Sequence, residues 1–237
     1  MFRLACYAGI VFAIYWFGFR DGCGTKGALA CPPPELEEGV GVTLDARDVC
    51  PGSGYLCAQG RNFQVVRWGL DKGKLRVRVP PVEFLQGEAE RKVRAAVVEG
   101  IRAWDRKPFP IVIDDGNYTL RFWDIRVVWT QGLNNHAIGQ ARVNWKIDGK
   151  HLKMETDGMA VVIPPAAASD FHEGMHEYIK AVTMHEMSHA LGIMWHSDSK
   201  RDIMYPQILP TTIAELSERD LRTVEALYEL PNGAMVE

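Results

Sequence analysis

No cysteine follows Cys57: all five, Cys6, Cys23, Cys31, Cys50 and Cys57, lie in the first quarter of the 237 residues. A cysteine-ligated metal centre or a disulfide scaffold is thereby excluded from the rest of the chain. Charge of one sign is not in excess either. The formal net charge is −3 and the isoelectric point is near 6.2, so the basic surface that binding to nucleic acid demands is missing. No run of like charges and no internal repeat stands out, which argues against charged tails and solenoid architectures. What remains is ordinary. With 47% hydrophobic and 24% charged residues, the chain can bury a real core in one domain plus an appendage, or in two small domains.

The appendage is at the N-terminus. Leu4 to Phe19 is sixteen residues without a charge, bounded by Arg3 and Arg20. Ahead of a spacer containing Cys and Pro, residues 1–21 read as an export signal or a membrane anchor rather than a buried core helix. Ala28-Leu29-Ala30 fits a small-residue cleavage site, and with Cys31 it faintly resembles a lipoprotein box. The spacer, 22–61, is stiffened by Pro32-Pro33-Pro34 and solvated by Glu35, Glu37 and Glu38. Cys50 and Cys57 flank a short Gly/Pro-containing loop. A disulfide between them is expected over a metal knuckle, for which closer C-x-x-C pairs are usual. The chain is therefore expected to be exported; a cytosolic protein with a buried N-terminal helix is the competing reading.

Residues 62–237 carry the pattern of a folded domain. Lys74 to Val79 alternates apolar and polar as a half-buried strand does, and Pro80-Pro81 ends it. Glu88 to Lys107 predicts a helix with Ala89, Val93, Ala96, Val97, Ile101 and Trp104 on one stripe. Strands are predicted at 120–130, 138–147, 151–155 and 159–163, with Asp148-Gly149 as a hairpin signal. Asp170 and Glu173 predict a helix start, and Ser217-Glu218-Arg219-Asp220 forms a capping box opening a last helix.

Chemistry concentrates in His185-Glu186-Met187-Ser188-His189-Ala190-Leu191-Gly192. Residues four apart share a helix face, so His185 and His189 can each turn an imidazole nitrogen to one zinc ion. Glu186 lies beside them, placed to take a proton from water that zinc acidifies. Gly192 suits the left-handed residue that ends a helix and turns the chain back. His172 and His176 are also four apart but lack this context and read as surface histidines; His136 and His151 read as exposed.

This segment, continued by His196-Ser197 and Ile203-Met204-Tyr205-Pro206, resembles the metzincin metalloproteases, and among them the matrixin-like branch. The resemblance is tight over 185–206 and looser over the remainder of 62–237. It implies an α+β, zincin-like domain with a twisted mixed β-sheet, about three helices and a Met-turn. It further implies one catalytic Zn2+ held by His185, His189 and His196, with Glu186 as general base. Met204 becomes the Met-turn methionine, and Tyr205 and Pro206 the wall of the pocket for the residue after the cut. The implied function is zinc-dependent endopeptidase activity on a peptide or protein substrate, the peptide lying along a sheet edge at Ala137–Val143. Three residues, Ile193, Met194 and Trp195, separate Gly192 from His196 where the family has two. Asp198 is the rival third ligand, and Trp195 is expected to lean over the cleft rim. Neither the family's structural zinc and calcium segment nor its cysteine-switch pattern is recognisable, so neither a second zinc nor structural calcium is expected. A non-catalytic, zinc-stabilised binding or adhesion domain is the alternative, and Glu186 speaks against it because a structural site needs no base.

Overall fold

The computed structural model describes residues 39–237 except 59, 61, 106–109, 116–121, 135–136 and 209–211. The expectations for the N-terminal apolar segment, for Cys6, Cys23 and Cys31, and for His136 lie outside the described residues. Among the described residues no helix is long and apolar enough to cross a membrane.

In chain order the elements are β1 (Thr43–Leu44), α1 (Ala46–Val49), β2 (Phe63–Gln64), β3 (Leu75–Arg78), α2 (Gly87–Arg102), β4 (Ile111–Asp114), β5 (Ile125–Thr130), β6 (Gly139–Asp148), β7 (His151–Val162), α3 (Glu173–Ala190), α4 (Glu218–Glu229) and β8 (Met235–Val236). The main sheet has five strands in the order β4-β3-β5-β7-β6. Its first four are parallel, and β6 returns antiparallel to β7 at the edge. Parallel neighbours need a crossover, which α2 supplies between β3 and β4. Leu75, Val77, Ile125 and Val127 alternate inward from β3 and β5 and are fully buried. They share one buried core with Val93, Ala96, Val97 and Ile101, four residues of the predicted stripe of α2. A second, three-stranded sheet joins β1, β8 and β2.

Several boundaries differ from expectation for local reasons. α2 stops at Arg102, and the Trp104 indole beyond it donates to the Met184 carbonyl at 3.0 Å. The strands read at 151–155 and 159–163 are one strand, β7, irregular opposite Arg142 and Val143. α3 is capped by His172, not Asp170; its Nδ1 accepts the Met175 N–H at 3.3 Å. The capping box of α4 forms as written in the sequence. Residues 39–57, read as spacer, add strand β1 and a fourth helix, α1, and contribute Ala46, Tyr55 and Leu56 to the buried core. Cys50 and Cys57 are joined by a disulfide.

α3 is the axis of the domain, buried at Ile179, Val182, Met184 and Met187. The last carbonyls of a helix lack internal partners. Here the Trp68 indole donates to Ala190 O at 2.9 Å and the Tyr228 hydroxyl to Leu191 O at 2.8 Å. Each such bond contributes about 1 kcal/mol. Both fix the end of α3 that carries the histidines.

Candidate metal centre

His185 and His189 stand one turn apart on α3, and the chain must reverse to bring a third group to them. Gly192 performs the reversal at φ +111°, where a Cβ would also sit 2.3 Å from the Val66 carbonyl oxygen. The three-residue link then delivers His196. The ring centroids of His185, His189 and His196 are 5.1 Å apart in every pair. One ligand nitrogen from each lies within 4.8 Å of the other two, so the group could hold a single metal ion. The longer link is absorbed with Met194 facing the cleft and Trp195 turned away from its rim. The Trp195 ring packs edge-on against Phe63 at 5.1 Å, correcting the expectation that it overhangs the cleft. Asp198 is exposed and paired with Arg219 at 2.9 Å, apart from the histidine group.

The outer contacts orient two of the rings. His185 Nδ1 is 2.8 Å from Ile203 O, and His189 Nδ1 is 2.6 Å from Ile193 O. A carbonyl only accepts, so each Nδ1 carries the proton and each Nε2 keeps its lone pair for a metal. Burial pushes His185 down to about 3, helped by the neighbouring His189. Burial likewise pushes His189 down to about 4. Both are therefore neutral at ordinary pH, the form that ligates. The three imidazole donors, the tautomers of His185 and His189, and the spacing of the group suit a borderline metal such as zinc.

Glu186 is only 5% exposed. Burial raises its carboxyl to about 7, against the lowering effect of the Ala141 N–H. Gly139 of β6 makes room for it. A Cβ there would lie 2.5 Å from Glu186 Cγ and 2.6 Å from Oε1. The cleft, about 800 Å³, is walled by 137–141 and Val143 on one side and by Val182, His185, Glu186 and His189 of α3 on the other. Met194, His196, Pro206, Gln207 and Ile208 complete it. Pro206 borders this cleft, whereas Tyr205 is not among the residues lining it. Tyr205 is half-buried just before it, while Gln207 and Ile208 were not singled out from the sequence.

Met204 is fully buried, and its carbonyl accepts the Ser197 N–H at 2.7 Å. Two buried carboxylates hold this turn. Asp202 accepts from Ser197 Oγ and from Ser217 Oγ at 2.8 Å, and forms an ion pair with Arg219 at 3.1 Å. Asp220 accepts the Ile203 N–H at 3.0 Å and the Ser217 N–H at 2.8 Å. The sequence marked Asp220 only as a helix cap; its reach to Ile203 spans seventeen residues.

A mixed sheet with one antiparallel edge strand, a helix presenting two histidines, and a reversal bringing a third above a buried Met-turn define an α+β domain of the metzincin class. The Matrixin family profile matches residues 123–229, from just before β5 to the end of α4. Over that span the chain is a matrixin-like metzincin catalytic domain. The family supports zinc metalloendopeptidase activity on peptide or protein substrates and is typically extracellular, which the disulfide fits. No curated protein matches this sequence.

Proposed function

We propose that this protein is an exported endopeptidase in which His185, His189 and His196 hold one zinc ion and Glu186 is the general base. The observation that carries this reading is the convergence of three histidines with a buried carboxylate in one open cleft. Zinc bound there would supply Lewis acidity, polarising the scissile carbonyl and acidifying water. Glu186 would take a proton from water in the cleft and return it to the leaving amine, its carboxylate lining the cleft beside His185 and His189. The Nδ1 bonds to Ile203 and Ile193 keep the two helix histidines fixed in aim while charge develops.

The substrate runs along β6. Among the described residues that strand pairs with β7 on one side only, and its first residues border the cleft. An extended peptide can therefore add to the sheet through main-chain hydrogen bonds, which places its carbonyl between Glu186 and the histidines. Pro206, Gln207 and Ile208 then form the wall beside the residue after the cut. Export is supported by the Cys50–Cys57 disulfide. A purely structural zinc site would fill its fourth position and have no use for a buried carboxylate in the cleft. Metal analysis and peptide cleavage by the full chain, compared with Glu186→Ala, test the proposal. The variant is expected to keep about one zinc per chain and to lose hydrolysis by roughly three orders of magnitude or more. Unchanged turnover would refute the assignment of the base.

A further inference from the structure

The loop closed by Cys50 and Cys57 is far from the histidines in sequence, yet it is joined to them by buried hydrogen bonds. It docks on α4. The Tyr55 N–H donates to Thr223 Oγ1 at 3.0 Å, and Arg222 donates to the Gly52 carbonyl at 3.1 Å. These contacts drive the Tyr55 side chain inward, where it is 2% exposed. Its hydroxyl donates to Asp220 Oδ1 at 2.6 Å. The other oxygen of Asp220 accepts the Ile203 N–H at 3.0 Å, and the Ile203 carbonyl accepts Nδ1–H of His185 at 2.8 Å. Three hydrogen bonds thus separate a loop of the N-terminal region from an imidazole of the cleft.

We infer that Tyr55, presented by the Cys50–Cys57 loop, is a positioning residue for the metal site, acting through Asp220 and Ile203 on His185. The inference rests on the reading that the three histidines bind zinc. Asp220 fully uses its carboxylate: Oδ1 on Tyr55, Oδ2 on Ile203 and Ser217. Without the hydroxyl, a completely buried oxygen loses its donor, and the carboxylate is free to rotate away from Ile203. Ile203, whose carbonyl aims His185, then loses the anchor on its N–H. Burial and the neighbouring Asp220 both push the Tyr55 hydroxyl far above its usual range, so it remains a donor at every working pH. Asp202 braces the same turn from its other side through Ser197, Ser217 and Arg219. The Arg219 guanidinium also lies 5.7 Å from the Tyr55 ring, so the loop touches both braces. The disulfide confines the loop, and hence the tyrosine, to this docked shape.

The test uses the full chain as wild type, Y55F, C50S/C57S, and V97A as a control that lowers stability from α2, outside the cleft. Zinc dissociation constants are measured by competition with a chromophoric chelator, and the visible absorption bands of the cobalt(II) form report ligand geometry. Outer partners of metal-bound histidines typically change metal affinity by about 10- to 100-fold. Tyr55 acts two bonds further out, so Y55F is expected to bind zinc at least about threefold more weakly, with shifted cobalt bands. C50S/C57S, which keeps the hydroxyl but frees the loop, is expected to move both readouts the same way. V97A is expected to lower the melting temperature and leave both unchanged. Should Y55F fail to fold, C50S/C57S carries the test alone. Wild type without zinc binding overturns the proposed function itself. Wild type that binds zinc, beside variants with wild-type affinity and cobalt spectrum, overturns the role of Tyr55 alone; so does an equal loss of affinity in V97A.

Discussion

Adding one methyl group at Gly139 is expected to silence the enzyme without unfolding it or removing its metal. The Cβ of Gly139→Ala would lie 2.5 Å from Glu186 Cγ, 2.6 Å from Oε1 and 2.8 Å from Cδ. Carbon atoms in comfortable contact are about 3.5–4.0 Å apart, so the Glu186 side chain must retreat by roughly 1 Å. It can do so cheaply, because the atoms in the way belong to a flexible side chain and not to backbone. The Gly139 backbone has no positive φ, and alanine in a strand interior is no worse than glycine. Stability should therefore change by no more than about 1 kcal/mol. A misplacement of about 1 Å in a reacting group costs on the order of 100-fold in rate, close to 2.7 kcal/mol in the barrier. Steady-state kinetics on a peptide substrate should show that loss in kcat, with zinc content near one per chain and a melting temperature within about 4 °C of wild type. Gly132→Ala is the control, since a Cβ there meets nothing within 4 Å. Turnover of Gly139→Ala within threefold of wild type, with zinc in place, would refute the claim that β6 sets the position of the base.

His196→Ala is expected to weaken zinc binding more than about 100-fold, beyond the usual cost of an outer partner, whereas Asp198→Ala, at a carboxylate that pairs with Arg219 on the surface, should leave the metal in place. Metal titration decides between them, and the reverse pattern would assign the third ligand to Asp198. A pH-dependent cost follows from Glu186, whose carboxyl is raised from 4.5 to about 7. In the metal-free protein the folded state holds that proton between pH 4.5 and 7 while the unfolded chain releases it, so the residue's contribution falls as pH rises through this window. Glu186→Gln should accordingly gain stability relative to wild type from pH 4.5 upward, levelling above pH 7 at no more than about 3 kcal/mol. Denaturant unfolding at several pH values measures the difference, and a flat profile would contradict it.

The functional helix was legible because its information is local. His185, Glu186 and His189 need only the four-residue periodicity of a helix, and Gly192 needs only its own backbone freedom. The same holds for the α2 stripe at Val93, Ala96, Val97 and Ile101, and for the capping box at Ser217 and Asp220, each set by neighbours within a turn or two. The disulfide between Cys50 and Cys57 was expected from a short loop in a chain with no later cysteine. Only the tertiary structure decided what depends on partners distant in sequence. Trp195 was expected over the cleft, but packing against Phe63 turned it away, because a large apolar ring gains more from burial than from the rim. Gly139 makes room for Glu186 forty-seven positions on, and no spacing rule marks such an approach. Tyr55 reads as one more residue of a spacer until the docked loop places its hydroxyl on Asp220. Local periodicity determined which groups could do the chemistry. The long-range hydrogen bonds and close contacts that hold those groups in place exist only when the chain is folded, since each joins segments that propensity and pattern treat separately.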